Sequence, residues 1–143
     1  MASNEVTTYD VAQVFVTYAG ITLTGFAEDS KVTIEYDADA WSKQVGVDGE
    51  TTRSKSNNRC ASVTVKLMQS SADNAALTAL YEADMATNAG ALPLLIKDSS
   101  GTSIHTAESA WIRKLPTTEY AINAGTREWV LDTGPMVSVI GGN

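Results

Sequence analysis

Two segments of this chain alternate apolar and polar residues at period two: Lys31–Asp37, KVTIEYD, and Ser62–Met68, SVTVKLM. That period places successive side chains on opposite faces of a strand, so one face is buried and the other is not. Val32, Ile34 and Tyr36 fall on one face of the first segment, with Thr33, Glu35 and Asp37 opposite; Val63, Val65 and Leu67 fall on one face of the second, with Thr64, Lys66 and Met68 opposite. Between the two lies a polar stretch, Ser42–Arg59, SKQVGVDGETTRSKSNNR. Hairpin loops run to roughly 2–5 residues, and structureless loops beyond roughly 12–15 are uncommon in a compact domain unless they are functional or disordered. The stretch carries Lys43, Arg53, Lys55 and Arg59 against Asp48 and Glu50, a charge of +2; the whole chain is −7, so the remainder is −9. A basic arm on an acidic body suits docking onto a second copy, and the plainer alternative is a solvated loop. Val45 and Val47 are its few apolar residues, so it is expected to gain order on contact.

A length of 143 residues predicts one domain spanning 1–143, and 43% hydrophobic residues suffice for a core. Val11–Tyr18 and Ile21–Phe26 read as paired strands turning at Ala19-Gly20. One helix is marked by Ser70 or Ser71 as cap, Asp73 in the first turn, and an apolar stripe of Leu77, Leu80, Tyr81 and Met85. Asn88, Gly90 and Pro93 end it. The stripe predicts core packing over one open end or face of a sheet. Strands follow at Leu92–Lys97, Thr102–Lys114, Thr126–Asp132 and Met136–Ile140, with Arg127, Trp129 and Leu131 on one side of the third. Many short strands and one helix predict a mainly β chain, a closed or nearly closed antiparallel β-barrel or sandwich.

The longest apolar candidate, Ala91–Ile96, is too short to span a membrane, and MASNEVTTYD lacks the pattern of a secretory leader. The chain is therefore expected to be soluble, without Sec-type export. A single cysteine, Cys60, excludes an internal disulfide framework and a cysteine-rich zinc site. The net charge of −7 opposes tight phosphate binding.

No catalytic, cofactor or metal site emerges. His105 is the only histidine and has no nucleophile elbow for company. Glu35, Asp37 and Asp39 lie on one strand and its end rather than across a cleft, so they read as a solvated acidic face. The glycines form neither GxGxxG nor a phosphate loop. Trp41, Trp111 and Trp129 could stack sugars in a monomeric β-sandwich carbohydrate-binding module, or anchor a core or subunit interface.

From the helix onward, and over most of its length, the chain resembles the tail tube proteins of contractile-tailed bacteriophages. The resemblance is carried by Ala110–Asp132, AWIRKLPTTEYAINAGTREWVLD: Arg113 and Lys114, then Leu115-Pro116, Tyr120, Gly125 and Arg127-Glu128-Trp129. It extends to related tube proteins of phage-derived bacteriocins and type VI secretion systems. It implies a virion protein, assembled in the host cytoplasm, whose subunits form hexameric rings stacked into a tube. Neighbouring sheets would join into an inner β-barrel through which DNA passes without specific binding. Implied partners are other copies, the sheath, the tape measure and the baseplate. On this reading Thr33, Glu35, Asp37, Thr64 and Lys66 are candidates to face the lumen, Lys66 fitting a repulsive wall least well. Lys43, Asp48, Glu50, Arg53, Lys55 and Arg59 are candidates to contact an adjacent subunit or ring.

Overall fold

The structure, a computed structural model, describes residues 6–143; the first five residues, part of the stretch expected to lack a leader, lie outside it. The elements run β1 (Val14–Tyr18), β2 (Ile21–Thr22), β3 (Val32–Tyr36), β4 (Trp41–Val45), β5 (Thr51–Lys55), β6 (Cys60–Met68), α1 (Asp73–Thr87), β7 (Leu92–Asp98), β8 (Ile104–Lys114) and β9 (Thr126–Val139). Seven strands form one antiparallel sheet in the order β2-β1-β7-β8-β9-β6-β3, and β4 pairs with β5 alone. Among the described residues no helix is long and apolar enough to cross a membrane.

The sheet curls on itself. Beyond β2 the chain crosses to β6, where Phe26 bridges Leu67 and the Ala27 amide donates to the Lys66 carbonyl. The outcome is the mainly β, antiparallel fold with one helix that the sequence predicts, between barrel and sandwich. Two layers result. A front layer holds β3, β6, the first half of β9 and the end of β8; a back layer holds β2, β1, β7, the start of β8 and the end of β9. β8 and β9 belong to both, and their ladder lapses between the pairs Ala107–Met136 and Ala110–Thr133. Pro135 sits in that gap, where its missing N–H breaks no β8–β9 ladder bond. Strands that change layers do so at such irregular points. Thr126–Asp132 and Met136–Ile140, expected as separate strands, are therefore one bent strand.

The side chains expected to point inward do so. Val63, Val65 and Leu67 are fully buried, as are Trp129 and Leu131, and they meet Val16, Tyr18, Leu94 and Met136 of the back layer. Leu77 of α1 is fully buried, with Leu80 and Tyr81 partly so. Met85, expected on that stripe, is exposed, one turn beyond Tyr81 and past the edge of the core. Ala72 occupies the cap position of α1 in helical geometry, and the Ser71 hydroxyl accepts from the Asp73 amide at 3.3 Å. Asn88 closes the helix in the left-handed conformation. Val11–Gln13, expected as strand, is a single 3-10 turn capped by Asp10.

The Ala19-Gly20 turn has φ of 54° and 82°, the mirror-image turn that matches strand twist, and it joins the paired residues Tyr18 and Ile21. The polar stretch departs most from expectation. It is not a structureless arm that waits for contact: Trp41–Val45 and Thr51–Lys55 pair in full register as a β-ribbon. Gly49, at φ 90°, supplies the turn, and Gly46 and Glu50 close it through a 2.7 Å amide-to-carbonyl bond. The ribbon rises where β3 ends and β6 begins.

Candidate functional site

Across the front layer, the polar positions of the strands line up in rows. Thr33 pairs with Thr64, Thr64 with Val130, and Val130 with Lys114. The next row runs Glu35, Ser62, Asp132, Trp111, and a third places Lys66 beside Glu128. Because side chains on one face of paired strands stand next to each other, these rows are a single outward wall. The five lumen candidates lie on this outward face: Thr33, Glu35 and Asp37 exposed, Thr64 and Lys66 half-buried.

Sequence reasoning missed part of the wall. Asp132 accepts from Arg113, whose Nη2 lies 2.6 Å from Oδ1. The same guanidinium donates to the Ser62 hydroxyl at 3.0 Å, and Ser62 donates to Asp37 at 3.2 Å. The Arg113 hydrogen bond and charge hold the Asp132 carboxyl below its ordinary range, and Asp132 in turn raises Arg113. Glu128, Val130 and Asp132 were readable as the outward complement of the inward Arg127, Trp129 and Leu131. The wall thus carries Glu35, Asp37, Glu128 and Asp132 against Lys66, Arg113 and Lys114. It is close to neutral rather than strongly acidic, and Lys66 is one of several cations set among carboxylates.

The front layer also has two edges without a strand partner. β3 pairs only with β6. At the other side, β7 stops pairing at Leu92–Ala110, which leaves Trp111–Lys114 of β8 unaccompanied. On β3 the hydrogen bonds to β6 involve odd residues, since Asp37 donates to Cys60 and Lys31 accepts from Lys66. The amides of Val32, Ile34 and Tyr36 therefore point away from the sheet.

The ribbon is two-faced. Partners in an antiparallel pair share a face, and so do residues two apart. Trp41, Lys43, Val45, Thr51, Arg53 and Lys55 therefore form one face, and Ser42, Gln44, Thr52 and Ser54 the other. Three of the six residues proposed for contact, Lys43, Arg53 and Lys55, come together beside Trp41, whose ring lies 3.9 Å from the Arg53 guanidinium carbon. Asp48 and Glu50 sit at the turn, and Arg59 lies in the connector back to β6, where its carbonyl accepts from the Met136 amide.

The three tryptophans occupy three unrelated places: the ribbon, the front wall and, for Trp129, the core, where Nε1 donates to Asn74 at 2.9 Å. They form no stacking platform. His105 shares a 2.7 Å hydrogen bond with Ser138, which also meets the Tyr36 hydroxyl at 2.7 Å, and burial lowers the imidazole's pKa. Cys60 is a half-buried thiol.

Comparison with known proteins agrees with this geometry. The family profile described as the bacteriophage PhiTE tail tube protein matches residues 8–141. Structural protein ORF10 of Pseudomonas phage KPP10 is 38% identical over 124 residues, covering 85% of this chain and 72% of that protein. Among solved structures, the sheath/tube terminator of an extracellular contractile injection system (PVC) superposes with a TM-score of 0.64 at 13% identity, covering 96% of this chain and 100% of that one. A chain of the PVC sheath–tube complex in its extended state gives 0.62 at 12%, covering 92% of this chain and 91% of that one. At those identities the likeness concerns the fold alone.

Proposed function

The chain belongs to the bacteriophage PhiTE tail tube protein family, a structural and not an enzymatic family, and from that premise we propose that it is a single tube domain whose copies close into hexameric rings that stack as the inner conduit of the tail. The observation that carries this reading is the pair of open edges on the front layer. The layer has four strands of alternating direction, β3, β6, β9 and the end of β8. An even number means that β3 of one copy meets the Trp111–Lys114 edge of the next in antiparallel orientation, and the repeat closes without a leftover edge. Closure hides the strand edges that otherwise invite aggregation, and a head-to-tail contact whose rotation closes makes a ring.

In such a ring the polar wall faces the bore, and Thr33, Glu35, Asp37, Thr64 and Lys66 line it with Arg113, Glu128 and Asp132. A near-neutral surface suits DNA in transit, since a strongly basic wall would hold phosphates through counterion release. The ribbon reaches an adjacent ring. The sheath surrounds the tube, the tape measure occupies the bore before DNA does, and the baseplate starts growth; the likeness to a sheath–tube complex supports the first of these.

Electron microscopy of the purified protein tests the assembly, with rings or rods of constant diameter expected. A protein that stays monomeric at high concentration, even with sheath and baseplate present, overturns it. The bore is tested by Glu35→Lys with Asp37→Lys, which changes the wall from four acids and three bases to two acids and five bases. Tubes should still form while DNA delivery falls; unchanged infectivity would remove these residues from the bore.

A further inference from the structure

β6 separates two ends of opposite character. At its head stands the ribbon, with Lys43, Arg53 and Lys55 on one face beside Trp41 and Val45. Eight residues later, about 26 Å away for an extended strand, its tail is surrounded by the segments 23–30, 69–91 and 115–125. Hydrogen bonds tie these together there: the Met68 amide donates to Gly25, the Gln69 amide to Gly125, and the Gly125 amide to the Gln69 side chain. Those segments hold Glu28, Asp29, Asp73, Glu82, Asp84 and Glu119 and no basic residue of their own; the cations beside them are Lys31, over the Phe26 ring, and Arg127, over the Tyr120 ring. Asp73 is engaged by Thr24 and Asp84 by the Gly90 amide. Glu28, Asp29, Glu82 and Glu119 are exposed, and none makes an ion pair among the described residues.

Both ends also expose apolar side chains. Tyr120 and Ile122 are 82% and 104% exposed at the tail, and Val45 and Val47 are 63% and 106% exposed on the ribbon. A two-stranded ribbon that buries nothing is marginal by itself, so this one is completed by something outside its own subunit. Within the tube reading, on which this rests, we infer that the cationic face of the ribbon docks on the acidic tail of a second copy in the adjacent ring. Its principal receptors are Glu28, Asp29 and Glu119 with Tyr120 and Ile122. Head and tail are different surfaces of one chain, so the contact is open-ended and propagates along the tube axis rather than closing. The neutral face, Ser42, Gln44, Thr52 and Ser54, is left toward solvent.

A charge swap tests this contact. One variant carries Lys43→Glu, Arg53→Glu and Lys55→Glu; a second carries Glu28→Lys, Asp29→Lys and Glu119→Lys; a third combines all six. Circular dichroism and melting establish that each is folded, and electron microscopy reads assembly. The first two should stop at single rings, with rod length reduced tenfold or more, and the combined variant should recover rods. Normal rods from the second variant, or a folded combined variant that remains at rings while the wild type elongates, overturns the contact and leaves the tube reading standing. A wild type that makes neither rings nor rods overturns the tube reading and this contact with it.

Discussion

Arg113 lays its guanidinium against Asp132: Nε lies 3.1 and 3.0 Å from the two carboxylate oxygens and Nη2 2.6 Å from one of them. The pair links the last part of β8 to β9 on the front wall, and Ser62 of β6 joins it. Because the folded state lowers the Asp132 pKa, the pair stabilises above the unfolded carboxyl value, and that contribution is lost as pH falls through the folded one. Both side chains are partly solvated, so its size is that of an exposed pair, roughly 0.2–1 kcal/mol and reduced by salt. Asp132→Asn should lower the urea midpoint at pH 7 and leave it nearly unchanged at pH 2. An equal loss at both values would assign the effect to packing instead.

Tyr18 sits in the core with its hydroxyl 3.0 Å from the Ala110 carbonyl and 3.2 Å from that of Gly90. Burial, aided by the charge of Asp84, pushes its pKa up to about 12. A raised folded value means the contribution is intact below the ordinary tyrosine value near 10 and is lost as pH rises toward 12. Ultraviolet titration should show one tyrosine that ionises last, together with unfolding. Tyr18→Phe leaves two buried carbonyls short of a donor and should cost about 1–3 kcal/mol.

Ala19 holds φ 54° in the turn between β1 and β2, a region that costs an L-residue with a Cβ roughly 1–2 kcal/mol. Asn tolerates it better and gives the Asn-Gly pair that this turn favours. Ala19→Asn should raise the melting temperature by an amount corresponding to about 0.5–1 kcal/mol. A lower melting temperature would mean that the alanine methyl packs more than the turn strains.

Ile34 has its amide directed away from β6, toward the open edge. Ile34→Pro removes that donor without removing a hydrogen bond to β6. The variant should unfold cooperatively, some 1–3 kcal/mol weaker from lost packing, yet fail to form rings on size-exclusion chromatography. Rings of normal size would show that β3 is not the joining edge.

How much of this was legible depended on contrast between faces. β3, β6 and the start of β9 each have one buried face, so alternation revealed both their existence and the side each residue takes. The ribbon has no buried face, so its strands gave no hydrophobic signal; only Trp41, the threonines and the glycine turn hinted at pairing. Gly134-Pro135 reads as a stop and is a corner, because the proline falls where the β8–β9 ladder is already interrupted. Arg113 and Asp132 stand far apart in sequence, and nothing in either segment shows that β8 and β9 are neighbours with those two residues in reach.

The insertion point of the ribbon has a practical meaning. The Asp37 amide donates to the Cys60 carbonyl at 3.0 Å, so the strand ends already touch, and everything from Ala38 to Arg59 is a cassette that a two-residue link can replace. In a tube assembled as proposed, exchanging cassettes between relatives, or removing them, would separate bore from length. If the copies close as proposed, removal would leave a pore one subunit thick, with a wall that can be rewritten residue by residue for sensing or filtration.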